Sequence, residues 1–123
     1  MGFDYAEMDK DVLIVRADGA LNAESADDFI KQLTGFIDNG LSRIIVDCSK
    51  LEYISSYGLG VLVRLHAKLA KRGGDVKLAS VPGLIEQVLQ VTRLNTLFSI
   101  YPDVSQARLA FPPSLGDAPP HKS

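Results

Sequence analysis

The sequence holds a single cysteine, Cys48. One thiol excludes an intrachain disulfide and a cysteine-rich zinc site. It lies in the apolar stretch Ile44-Ile45-Val46-Asp47-Cys48, where a small buried side chain is expected. Charge of one sign is missing as well. Thirteen Lys and Arg stand against 15 Asp and Glu, a formal net charge of −2, and no basic stripe runs through the chain. Nucleic-acid binding needs dense Lys and Arg to neutralise phosphates, so it is disfavoured. No apolar run approaches membrane-spanning length. Met1 to Lys10 lacks the apolar core of a signal peptide. Its opening Met-Gly has Ala6 where myristoylation wants Ser or Thr. These absences predict a soluble, cytoplasmic protein without direct membrane insertion.

Proline is scarce until the end. Four of the six prolines fall in the last twelve residues, 112–123. Proline fixes φ and removes a donor, so this segment is expected to be a flexible tail. The other 111 residues suit one domain; 123 residues are too few for two good cores. With 46% hydrophobic and 23% charged residues, the composition is that of a globular protein.

Periodicity predicts the elements. Phe3 to Met8 alternates weakly. Val12-Leu13-Ile14-Val15 is a β-branched run expected to end at Asp18-Gly19. Asn22 or Ser25 can cap a helix in which Phe29, Ile30, Leu33, Phe36 and Ile37 recur at helical spacing. Asp38-Asn39-Gly40 ends it. Arg43 to Cys48, apolar on both sides, reads as a central strand covered on both faces. A second helix places Val61, Leu62, Leu65 and Leu69 on one face and stops at Gly73-Gly74. Asp75 to Val81 is a strand. Pro82-Gly83 opens a third helix with Leu84, Ile85, Val88, Leu89, Val91 and Leu94 apolar. Phe98 to Tyr101 is a short strand, and Val104 to Ala110 a last helix. The order β-β-α-β-α-β-α-β-α implies an α/β fold with helices packed on a central, mostly parallel sheet.

Ile54-Ser55-Ser56-Tyr57-Gly58-Leu59-Gly60 joins the central strand to the second helix, a common functional position. Unpaired N–H groups and the helix dipole favour negative charge there. A serine at this point can cap the helix or accept a phosphoryl group, and the pattern alone leaves both open. Other chemistry fits poorly. Gly58-Leu59-Gly60 lacks the third glycine of a dinucleotide fingerprint and the Walker lysine. Ser55 and Ser56 lack the Gly-x-Ser-x-Gly elbow. His121 lies in the tail. His66 lies roughly 15 Å along the same helix from Ser56, too far for a dyad. Asp47 and Glu52 are not forced into a pair for acid–base work. No catalytic, cofactor-binding or metal-ligating residues are therefore assigned.

The landmarks resemble the STAS domain proteins, the bacterial anti-sigma-factor antagonists. Asp18-Gly-Ala-Leu21-Asn22-Ala-Glu-Ser-Ala26 is similar to the family's Gly-x-Leu-Asp turn and first helix. Ile44-Ile-Val-Asp47-Cys-Ser49-x-Leu51-x-Tyr53-Ile54-Ser-Ser56-x-Gly58-Leu-Gly60 resembles its strand and phosphorylation loop. Gly73-Gly-x-Val76-x-Leu78 through Pro82, then Leu94-x-x-Leu97-Phe98-x-Ile100-Tyr101, resembles its second half. The resemblance covers about residues 3–111, which makes residues 1–111 a single STAS-like domain. It implies that Ser56 is the phosphorylated residue. It places Asn22, Ser55, Tyr57, Gly58 and Leu59 at the partner-binding surface. Ser55 stands where the family has Asp, Tyr57 where it has Ser or Thr, and Asn22 where it has Asp in the upstream turn. The implied role is a non-enzymatic anti-sigma-factor antagonist. It would bind an anti-sigma factor serine kinase when unphosphorylated, with a PP2C-type phosphatase resetting the cycle. The alternative role is a non-catalytic STAS subunit of an ABC-type lipid-transport complex or a signalling scaffold.

Overall fold

The computed structural model describes residues 3–112. Most of the expected Pro-rich tail, 113–123, lies outside the described residues. The chain runs β1 (Phe3–Asp9), β2 (Val12–Leu21), α1 (Ala23–Asp38), β3 (Arg43–Ile54), α2 (Ser56–Ala70), β4 (Asp75–Ala79) and α3 (Gly83–Val91). A 3-10 turn at Leu94–Thr96, β5 (Ser99–Tyr101) and α4 (Val104–Ala110) follow. The five strands form one sheet in sequence order. β1 is antiparallel to β2, and β2, β3, β4 and β5 run parallel to one another.

Alternation along the strands makes two faces. Leu13, Val15 and Ala17 of β2, Ile44 and Val46 of β3, and Val76 and Leu78 of β4 point to one side. There they meet Phe29, Ile30, Leu33 and Ile37 of α1, Val61, Leu62, Leu65 and Leu69 of α2, and Ile85 and Leu89 of α3. A sheet whose parallel steps all advance in one direction puts its crossover helices on one face, and a single core cluster spanning α1, α2 and α3 is the result. Val12, Ile45 and Ala79 point to the other side, where Ala107 of α4 and Phe111 cover them. Phe111 is held between two cations, with the Lys77 Nζ 4.6 Å and the Arg43 guanidinium 5.6 Å from its ring centre. β3 is thus the middle strand and is covered on both faces where it pairs with β4.

Two strands run further than their sequence suggests. β2 does not end at Asp18-Gly19. Gly19 takes φ +70, and the β2–β3 register shifts between Arg16 and Asp18 and again between Gly19 and Ala20. A bulge accommodates the left-handed glycine without ending the pairing. The ladder then continues to Leu21 opposite Ile54. β3 accordingly runs to Ile54, whereas its pairing with β4 stops at Asp47 opposite Ala79. From Cys48 onward, β2 and β3 form a two-stranded extension beyond the rest of the sheet. β4 ends at Ala79 rather than Val81, because Ser80 adopts φ +55. α3 closes at Val91, two residues before Arg93 in the left-handed region. Its expected apolar face is only partly used: Leu84 and Val91 stay exposed.

Candidate functional site: the paired helix starts at the end of β2 and β3

The two-stranded extension delivers two helix N-termini side by side. At the end of β2, Asn22 caps α1. Its Oδ1 accepts from the backbone N–H groups of Glu24 (3.1 Å) and Ser25 (3.0 Å). Asn22 N–H donates back to Ser25 Oγ at 3.0 Å, which completes a capping box. Ser25 is therefore the third helical residue, not the cap. Its hydroxyl also ties the turn to Ala20 O at 2.6 Å. Asn22 does through its amide oxygen the capping work that an aspartate would do with a charge.

At the end of β3, Ser55 caps α2. Its Oγ accepts from Gly58 N–H at 3.0 Å and donates to Leu21 O at 3.1 Å. Its backbone N–H donates to the same Leu21 oxygen at 2.9 Å. The Ser55 hydroxyl is half-buried and committed to holding α2 against the end of β2. Gly58 makes the approach possible: a Cβ there would stand 2.4 Å from Leu21 O and 2.9 Å from Ile54 Cγ1.

The next residue contrasts with Ser55. Ser56, the first residue of α2, is exposed, and its hydroxyl has no hydrogen-bond partner among the described residues. The sequence left the cap open between two serines, and the structure gives it to Ser55. Tyr57 follows with its ring 42% exposed. Its hydroxyl donates to Asp27 Oδ1 on α1 at 3.2 Å, and the Arg64 guanidinium lies 5.9 Å from the ring centre. Asp27 also pairs with Lys31 at 3.5 Å. Ser55 and Gly58 are therefore brought against the Leu21 carbonyl, next in the chain to Asn22, with Ser56 and Tyr57 in the same first turn of α2. Leu59 is half-buried against the main core, and Gly58 is buried.

Sequence reasoning missed Tyr53, which is 56% exposed on the extension, and the Asp27 and Arg64 contacts of Tyr57. Strict alternation in β3 would place Tyr53 on the face of buried Leu51; the register shift between Gly19 and Ala20, opposite Leu51 and Tyr53, breaks that pattern and could not be read from the sequence. The cross-helix contacts need the packing of α1 on α2.

The remaining candidates lie elsewhere or are inert. His66 sits half-buried, its Nε2 3.9 Å from Asp75 at the start of β4 and its ring edge-on to Phe98. It faces the opposite end of the strands from Ser56. Cys48 is 2% exposed. Burial, and then the charge of Asp47, pushes its thiol up to about 12, so at neutral pH it is neither nucleophile nor ligand. Among the described residues no three His, Cys, Asp or Glu side chains are grouped to hold a metal. No helix there is long and apolar enough to cross a membrane.

The sequence pattern of the STAS domain matches residues 6–107. The chain belongs to the STAS domain family. A Thermotoga maritima protein assigned as an anti-sigma factor antagonist is 34% identical over 106 residues, covering 85% of this chain and 93% of that protein. Its crystal structure superposes with a TM-score of 0.82 at 31% identity, over 87% of this chain and 92% of the other. The anti-sigma F factor antagonist of Paenibacillus polymyxa is 26% identical over 96 residues, 77% of this chain and 82% of that one. The antagonist SpoIIAA in its unphosphorylated form gives a TM-score of 0.76 over 85% of this chain and 91% of the other. At 19% identity, that likeness is one of fold. The five-stranded, mostly parallel sheet with its β-β-α-β-α-β-α-β-α order is thus a STAS fold.

Proposed function

We propose that this STAS protein is an anti-sigma factor antagonist that works by partner switching, with Ser56 as the switch. Unphosphorylated, it binds a kinase-type anti-sigma factor and releases that factor's sigma subunit. The kinase then transfers a phosphoryl group from ATP to Ser56 and binding is lost; a PP2C-type phosphatase resets the cycle. The chain is substrate and binding module, not catalyst. One observation carries the reading: Ser56 presents a free, exposed hydroxyl at a helix start whose cap is already supplied by Ser55. The names of the relatives support the same role.

The energetics separate folding from binding. A phosphoserine carries roughly −1.5 to −2 charges. At a helix N-terminus that charge is favourable by about 0.3–1 kcal/mol, so the fold tolerates it. In an interface it is different. Tyr53 to Gly60 contains no Lys or Arg, so this loop offers the dianion no partner. Burying such a charge costs several kcal/mol, and about 3 kcal/mol already weakens binding more than a hundredfold.

The test is phosphorylation by the organism's kinase-type anti-sigma factor with ATP, followed by mass spectrometry. The expected result is one phosphate on Ser56 and none on Ser56→Ala. Phosphate on another residue, with full transfer to Ser56→Ala, overturns the site. A pull-down dominated by an ABC-type ATPase, with no kinase, overturns the role in favour of a transport or scaffold subunit.

A further inference from the structure

We infer that Tyr57 is the specificity anchor of the Ser56 site, and that the kinase acting there carries an apolar, aromatic-accepting pocket beside the position of the ATP γ-phosphate. This rests on Ser56 being the acceptor. Consecutive Cα atoms are about 3.8 Å apart, so an enzyme that brings a γ-phosphate to Ser56 Oγ must also accommodate the ring of Tyr57.

The ring is held before any partner arrives. Its hydroxyl is fixed to Asp27 Oδ1 at 3.2 Å. Asp27 is itself paired with Lys31, and Arg64 lies over the ring face. A tyrosine has only two side-chain torsions to fix, and a side chain already ordered loses little further entropy on binding. Such aromatic side chains, packed at the centre of a contact, dominate binding energy. Tyr53 is the internal contrast. It is more exposed and lies three residues before the acceptor, yet its ring and hydroxyl make no contact of these kinds among the described residues. A free ring must be ordered at the moment of binding; Tyr57 need not be. Asp27 and Arg64 are positioning residues, because they act through the ring. A kinase cleft shaped for a small side chain after the acceptor clashes with Tyr57, so discrimination works in both directions.

The experiment measures steady-state phosphorylation by the serine kinase of the source organism, purified by its ATP-dependent activity on the wild-type chain. Circular dichroism verifies the folding of each variant. Tyr57→Ala is expected to lower kcat/KM about thirtyfold or more, mostly through KM. Tyr57→Phe keeps the ring, loses only the Asp27 bond, and falls roughly three- to fivefold. Asp27→Ala and Arg64→Ala raise KM in the wild-type background and add nothing in the Tyr57→Ala background, whereas a merely structural role would lower the folded fraction of the substrate and raise the apparent KM in both. Tyr53→Ala stays within about twofold, as expected of most residues at an interface. A Tyr57→Ala substrate as good as wild type overturns the anchor and leaves the Ser56 reading standing. An equal loss in Tyr53→Ala overturns the argument from the held ring. Absence of phosphate from Ser56 in the wild type removes the acceptor reading, and the anchor with it.

Discussion

Gly58 and Gly60 lie two residues apart in α2, and the same substitution at each should act in opposite directions. Alanine is favoured over glycine in a helix interior by about 1 kcal/mol. At Gly60 a Cβ meets nothing within 4 Å, so Gly60→Ala should stabilise by about 0.5–1 kcal/mol. At Gly58 the Cβ would stand 2.4 Å from Leu21 O, where ordinary contact begins at 3.4 Å. The obstacle is backbone and cannot swing aside, so the start of α2 must retreat by about 1 Å. That distance breaks the bonds from Ser55 N–H and Oγ to Leu21 O, now 2.9 and 3.1 Å. Overpacking strain costs about 1–3 kcal/mol and each lost hydrogen bond about 1 kcal/mol. Against the propensity gain of about 1 kcal/mol, the net loss is about 2–4 kcal/mol. For a chain of this size 1 kcal/mol moves Tm by about 4 °C. Thermal melts followed by circular dichroism should therefore place Gly58→Ala about 8–16 °C below wild type and Gly60→Ala about 2–4 °C above it. A Gly58→Ala protein that melts with wild type, or a Gly60→Ala protein that falls as far as Gly58→Ala, refutes the close approach of α2 to the end of β2.

The two neighbouring serines should separate in the same assay: Ser55→Ala removes a cap and lowers Tm by about 4 °C, from roughly 1 kcal/mol, while Ser56→Ala leaves it within about 1 °C. The Cys48 thiol, raised from its usual 9.0 to about 12, should resist iodoacetamide at pH 8 in the native protein and react on unfolding. Because the native thiol holds its proton longer than the unfolded one, its contribution to stability is complete below pH 9 and is lost as pH rises toward 12. Denaturant titrations should show a shallower alkaline fall for Cys48→Ala than for wild type.

Elements with strong periodicity were legible in the sequence. The face of α2 at Val61, Leu62, Leu65 and Leu69 is buried as read. The run Ile44 to Val46 is the middle of the sheet. What could not be read depended on partners distant in sequence. Asp18-Gly19 carries the local signal of a turn, and only the pairing with β3 makes it a bulge. Leu84 and Val91 fit an apolar helix pattern, yet nothing packs over them among the described residues, because α3 buries Ile85 and Leu89 instead. At the site, motif spacing brought attention to both serines. Their separation into cap and free hydroxyl needed the Leu21 carbonyl, 34 residues earlier in the chain. The grip of Asp27 on Tyr57 likewise joins residues 30 apart, a relation no local pattern expresses.

The extension of β2 and β3 past the end of β4 divides the chain into parts under different selective demands. In the five-strand body, a substitution at Val15, Val46 or Leu78 is answered by cavities or clashes across the core. At the tip of the extension and the helix start beside it, Tyr53 and Tyr57 face outward, and an exchange there changes the surface with little consequence for folding. Duplicated copies of such a chain could therefore acquire new partners one exposed residue at a time, without first repairing their interiors. Cross-talk between copies would then be limited by the chemistry of a few side chains on a short two-stranded extension.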